Sequence, residues 1–71
     1  MFKYPVIIEK ANGNYSAYCP DLPGCIATGA TVREAVKRIK EAIQFRIEGM
    51  RKEGLSIPLP STKIEYIEVA V

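Results

Sequence analysis

With 71 residues, 48% of them hydrophobic, and a formal net charge of +2, the chain is one small domain, 1–71, near the size at which a single apolar core is only marginally sufficient. Its stability is expected to lean on a partner or on self-association. The 25% of charged residues excludes a chain disordered by composition, and the small net charge excludes a polybasic nucleic-acid binder.

The opening "MFKYPVIIEK" holds a short apolar run interrupted by Pro5, with no small-residue cleavage site behind it, unlike a signal peptide. No apolar run approaches the ~18 residues that span a bilayer. A soluble, cytoplasmic protein is expected. From Phe2 to Lys10, alternation places Phe2, Tyr4, Val6 and Ile8 on one face, which predicts a strand. Asn12-Gly13 then suits the positive φ angles of a tight hairpin. The returning strand is "NYSAYC", with Tyr15, Ala17 and Cys19 on one face and Ser16 and Tyr18 on the other. "PDLPG" ends it, because Pro20 and Pro23 withhold ladder donors and Gly24 accepts φ angles that a bulkier residue resists. "CIATG" is a short third strand completing an antiparallel meander.

The helix signal is the clearest in the chain. "TVRE", Thr31 to Glu34, fits a capping box in which the Thr hydroxyl accepts from an orphan backbone N–H and the Glu reaches back to the cap's own N–H. Val32, Val36, Ile39, Ile43, Ile47 and Met50 recur at spacings of four and three, with Ala35 and Ala42 on the flank of the stripe. Gly54 closes the run, and Arg51 and Lys52 suit the negative end of the helix dipole. On the outer face Glu34 with Arg38, and Glu48 with Lys52, are i,i+4 pairs in the favourable order. Phe45 falls on this polar side, either as an ordinary solvated aromatic or as an anchor for a partner. "LSIPLPSTKI" is a proline-punctuated connector, and "IEYIEVAV" alternates as a last strand. Reached over a helical crossover, that strand should lie parallel to the first, giving an α+β, β-β-β-α-β fold with a mixed four-stranded sheet of order 3-2-1-4 and the helix on one face.

Several chemistries lack their residues. The chain has no histidine, so a Ser-His or Cys-His nucleophile pair cannot be assembled. Its glycines form neither a phosphate loop nor a dinucleotide fingerprint, and two cysteines are too few for a structural zinc site. No cofactor is expected. Cys19 and Cys25 flank a tight corner, where packing and a disulfide are both geometrically conceivable. Asp21 suits a turn residue whose side chain bonds nearby backbone.

"YCPDLPGCIATGATVREAVKRIKEAI", Tyr18 to Ile43, resembles the signature of the HicB-like antitoxin family: a strand ending in a "PDLPGC"-type corner, a short strand to a Gly, and a capped helix beginning T-x-x-E-A. The resemblance reaches back through "YPVIIEK" and forward to "IEVAV". It implies a partial ribonuclease H-like fold and a non-enzymatic antitoxin that binds a small, RNA-cleaving HicA-type toxin and covers its active surface. Longer members carry a DNA-binding segment after the last strand. With Val71 the last residue here, DNA binding is not expected of this chain alone.

Occlusion calls for a well-packed patch with a few anchors and charge complementary to a basic partner. The candidates are the corner, with Asp21, Leu22 and Pro23 on a stiff loop, and the outer helix face, with Phe45, Glu41 and Glu48. Free sheet edges are expected to make homo-oligomers. The alternatives are an RNA-binding or self-assembling module that stacks bases on Tyr4, Tyr15, Tyr18 or Tyr66, and a residual metal-dependent nuclease using Glu9, Asp21 and one further acid.

Overall fold

A computed structural model describes residues 1–71. Three strands, β1 (Ile7–Ala11), β2 (Asn14–Tyr18) and β3 (Ile26–Gly29), precede one helix, α1 (Val32–Lys52). The sheet is antiparallel in the order β1-β2-β3, and the helix lies across one face.

Each strand is shorter than its apolar pattern. The first was expected from Phe2, but pairing starts at Ile7 opposite Tyr18, because Cys19 has already turned into the corner and donates its N–H to the Cys25 carbonyl at 3.2 Å. Tyr4 and Val6 still pack against the core from outside the ladder. The hairpin pairs Ala11 with Asn14, as Asn12-Gly13 predicts. Only Gly13 takes positive φ, at 76°, while Asn12 stays negative, so the turn is not the doubly positive form.

Thr31 caps α1 as expected: its hydroxyl accepts the Glu34 N–H at 3.1 Å. The Glu34 carboxylate reaches one residue further back than the capping box predicts, to the Ala30 N–H at 2.9 Å. At the other end Gly54, with φ 70°, donates to Arg51, and Leu55 donates to Met50, the paired bonds of a Schellman stop.

Packing rotates the helix relative to the expected stripe. Ala35 and Ile39 are buried, while Val32 and Val36 are each about half exposed. Ala35, from the flank of the stripe, and Ile39, from within it, meet the sheet, with Ala42 and Ile43 packed beside them. The cause is the approach at Gly29: a Cβ there would sit 2.5 Å from the Ala35 backbone nitrogen. The first turn of the helix meets Gly29, at the end of β3, almost backbone to backbone, and the β1 side of the aliphatic stripe is left open. Ala17, Cys19, Leu22 and Cys25 complete the buried cluster.

The expected fourth strand is not in the sheet. Residues 55–71 form no ladder, and the sheet has three strands, not four in the order 3-2-1-4. β1 therefore keeps a free edge. The radius of gyration, 13.9 Å, exceeds the roughly 11 Å of a compact chain this long, and the molecule measures 48 × 27 × 19 Å.

Gly29→Ala should force helix and sheet apart and cost about 1–3 kcal/mol, as overpacking does. Thermal unfolding measures it: a small domain loses about 4–8 °C in Tm per kcal/mol. An unchanged Tm would mean that the close approach is not fixed.

Candidate partner-binding surface

The corner is built from its own backbone. Leu22 N–H donates to Cys19 at 3.1 Å and Cys25 N–H donates to Leu22 at 3.0 Å, while Gly24 takes φ 81°. These bonds fold the loop over the sheet and drive Leu22 inward, where it is 1% exposed. Leu22, expected on a presented loop, is a core residue. Pro23 beside it is exposed, and its carbonyl accepts a hydrogen bond from Arg46 Nη2 at 3.0 Å.

Asp21 faces the connector. Its Oδ1 accepts from the N–H and hydroxyl of Ser61, both at 3.1 Å, and from the N–H and hydroxyl of Thr62, at 3.1 and 3.0 Å. Oδ2 is shielded from solvent and has no partner. Desolvation raises the carboxyl pKa, but the Ser61 and Thr62 bonds together outweigh it and hold it below the usual value. Asp21 is thus a clamp on residues 61 and 62, not a free contact. A second fastening lies nearby: the Tyr4 hydroxyl donates to the Pro58 carbonyl, with its pKa pushed up by burial and then by Cys19 and Asp21.

Cys19 and Cys25 are free thiols in the core. Burial and the neighbouring Cys19 push the Cys25 thiol up, with Arg46 opposing, which makes it a packing residue and a poor nucleophile.

On the outer face of α1, Glu41, Phe45 and Glu48 lie at spacings of four and three, one exposed stripe along the helix. The Phe45 ring is 80% exposed and borders a groove of about 530 Å³ that also touches Cys25, Ala42, Arg46, Met50 and Leu55. Glu34 pairs with Arg38 at 3.4 Å, but the expected Glu48–Lys52 pair does not form. Glu48 is free, and Glu41 sits beside a mixed cluster containing Arg33, Lys37 and Arg38. Arg38 is turned toward the sheet, donating to the Thr28 carbonyl at 3.2 Å.

Corner and helix face meet through Arg46, which the sequence did not single out. By bonding Pro23 while bordering the Phe45 groove, it joins Pro23, Arg46 and Phe45 into one exposed surface. Its only local signal is a long cation next to Phe45. That the helix crosses the corner at this level is a tertiary fact. Ser61 and Thr62 were likewise missed, lying some 40 positions from Asp21 in the chain.

The other candidates disperse. Tyr4 and Tyr15 pack against the core, which removes two of the four stacking platforms. Tyr18 lies on the uncovered sheet face in a row with Ile7 and Ile26, and Tyr66 is exposed outside the sheet. Glu9 lies on β1, and no three of the Asp, Glu and Cys side chains gather where they could hold a metal ion. No helix is long and apolar enough to cross a membrane.

Comparison with known proteins gives this geometry its family. Residues 4–70 match the model of the HicB-like antitoxin of bacterial toxin-antitoxin systems, and the chain belongs to that family. An uncharacterized 14.9 kDa protein of Haemophilus phage HP1 is 44% identical over 90% of this chain and 48% of its own length. Antitoxin HicB 2 of Photorhabdus laumondii is 31% identical over 94% of this chain and 49% of its own. The chain therefore spans about half the length of these two relatives. Among solved structures, a chain of the HicA3 and HicB3 toxin-antitoxin complex superposes with a TM-score of 0.71 and 33% identity, over 84% of this chain and 70% of that one.

The clamp carries a pH dependence. Because the folded pKa of Asp21 lies below its ordinary value, its contribution is present above the usual carboxylate pKa of about 4 and is lost as pH falls through the lower folded value. The Ser61 and Thr62 amides should lose protection from hydrogen exchange in acid. Asp21→Ala should do the same at neutral pH while the sheet amides stay protected. Unaltered exchange at Ser61 and Thr62 in that variant would dispose of the clamp.

Proposed function

We propose that this protein is an antitoxin that neutralises a small, RNA-cleaving toxin of the HicA type in the cytoplasm by binding it and covering its active surface, without catalysis of its own. The observation that carries this reading is the likeness to a chain of the HicA3 and HicB3 complex at a TM-score of 0.71. The β-β-β-α order accords with the partial ribonuclease H-like unit of such antitoxins.

Physically, the surface through Pro23, Arg46 and Phe45 suits occlusion. An exposed aromatic on a rigid helix loses little entropy when it is captured in a pocket, which is how interface anchors work. The free Glu48 and the exposed Glu41 flank Phe45 on the same stripe, and carboxylates placed there attract a basic, RNA-binding partner. The proposed contacts are Pro23, Arg46, Phe45, Glu41 and Glu48. Leu22 and Asp21 act indirectly, by setting the shape of the corner.

The deciding experiment is purification of the tagged protein from its native host, with an RNA-cleavage assay on any small basic protein that accompanies it. A companion that cleaves RNA alone and stops when this chain is restored establishes the function. Recovery of RNA alone would replace it with the RNA-binding alternative, using Tyr18 and Tyr66.

With the complex in hand, Phe45→Ala should weaken toxin binding by roughly tenfold or more, the size of an interface anchor. Glu41→Lys with Glu48→Lys should mainly slow association and flatten its salt dependence. Calorimetry and stopped-flow measurements check these, and full affinity in Phe45→Ala would exclude this face.

A further inference from the structure

Beside the free edge of β1 lies an apolar groove of about 350 Å³, lined by Tyr4, Val6 and Ile8 on the sheet side and by Val36, Ile39 and Ile43 of α1 on the other, with Lys40 at its margin. It is the place that a fourth strand would fill. The part of the helix stripe left uncovered by the close approach at Gly29 forms its wall. The structure also holds a segment suited to fill it. Residues 64–71 carry Ile64, Tyr66, Ile67, Val69 and Val71 in the open, with Ile67 81% and Val69 73% exposed.

We propose that the 64–71 arm of one copy pairs with the β1 edge of a second copy and lays its apolar face into that groove, reciprocally, closing a two-fold dimer by strand exchange. Four observations select a second copy as the occupant. The arm makes no ladder with its own β1, and the excess radius of gyration reflects chain extending away from the body. The Asp21 clamp on Ser61 and Thr62 fixes where the arm leaves, so the exchange begins from a defined point. Eight residues at about 3.3 Å each reach about 26 Å, enough to run the length of β1. Finally, period-two alternation puts Ile67, Val69 and Val71 on one face with Glu65, so the apolar side chains enter the groove while Glu65 is placed to answer Lys40.

Exchange removes two liabilities together. The edge N–H and C=O groups of β1 gain partners, and an apolar arm too exposed for a soluble chain is buried. A two-fold axis makes the contact self-limiting, since each copy gives one arm and receives one. The other face of the arm, Ile64 and Tyr66, would extend the row of Ile7, Tyr18 and Ile26 across the open side of the sheet. No toxin takes part, so the proposal stands or falls apart from the antitoxin reading.

The test uses the full chain without a toxin. Sedimentation velocity should give a dimer. Ile67→Asp with Val69→Asp should raise its dissociation constant by at least ~100-fold, since charges would enter an apolar groove, with helical circular dichroism unchanged because both residues are exposed. Isotope-filtered NMR on mixed labelled and unlabelled protein should show Ile67 and Val69 methyl contacts to Val6 and Val36 of the other copy. A monomeric unmodified chain, contacts confined to one copy, or a dimer indifferent to the double substitution would each overturn the proposal.

Discussion

Between Cys19 and Cys25 the chain turns a corner that ties together all the parts of the molecule. Its backbone bonds end β2 and begin β3, its Leu22 enters the core, its Pro23 carbonyl receives Arg46 from the helix, and its Asp21 grips Ser61 and Thr62. Sheet, helix and connector are thus referred to the seven residues from Cys19 to Cys25. Prolines at positions 20 and 23 limit the freedom the corner would have in the unfolded chain, so less entropy is lost in forming it. The motif that marks the family is accordingly a fastening, which sets the placement of the exposed Pro23 and Arg46 beside Phe45.

A second constraint is the closeness of α1 to β3. Small residues at the contact, Gly29 and Ala35, bring the backbones together, which closes the β3 side and opens the β1 side. Only seven residues of the chain are buried, a core too small to leave large apolar surfaces idle. The Phe45 groove and the β1 groove lie on opposite flanks of the helix. One faces the corner and suits a foreign partner. The other lies along an open sheet edge and suits a strand. The two proposed associations would therefore use different flanks of one helix.

The local elements were legible because their signals are local. Alternation in "NYSAYC", Asn12-Gly13 between two apolar runs, Thr31 three residues before Glu34, and Gly54 at the helix end each act through neighbours in the chain. The candidate site was legible only in part. Phe45, Glu41 and Glu48 follow from helical periodicity alone, and the structure places them on one exposed stripe. Leu22 went the other way, because the direction of a loop side chain depends on the fold of the loop over the sheet.

What the sequence determined by itself was the order of the first four elements, β-β-β-α, their caps and turns, the family, and the absence of histidine chemistry, since these rest on residue identity and spacing. What the tertiary structure decided was which side of the helix is covered, that Asp21 is a clamp, that Arg46 joins corner to helix, and that 64–71 stands apart from the sheet. An alternating segment carries the capacity to be a strand, but a strand exists only when an edge supplies its hydrogen bonds, and the partner edge is set by three-dimensional placement and not by the segment's own residues.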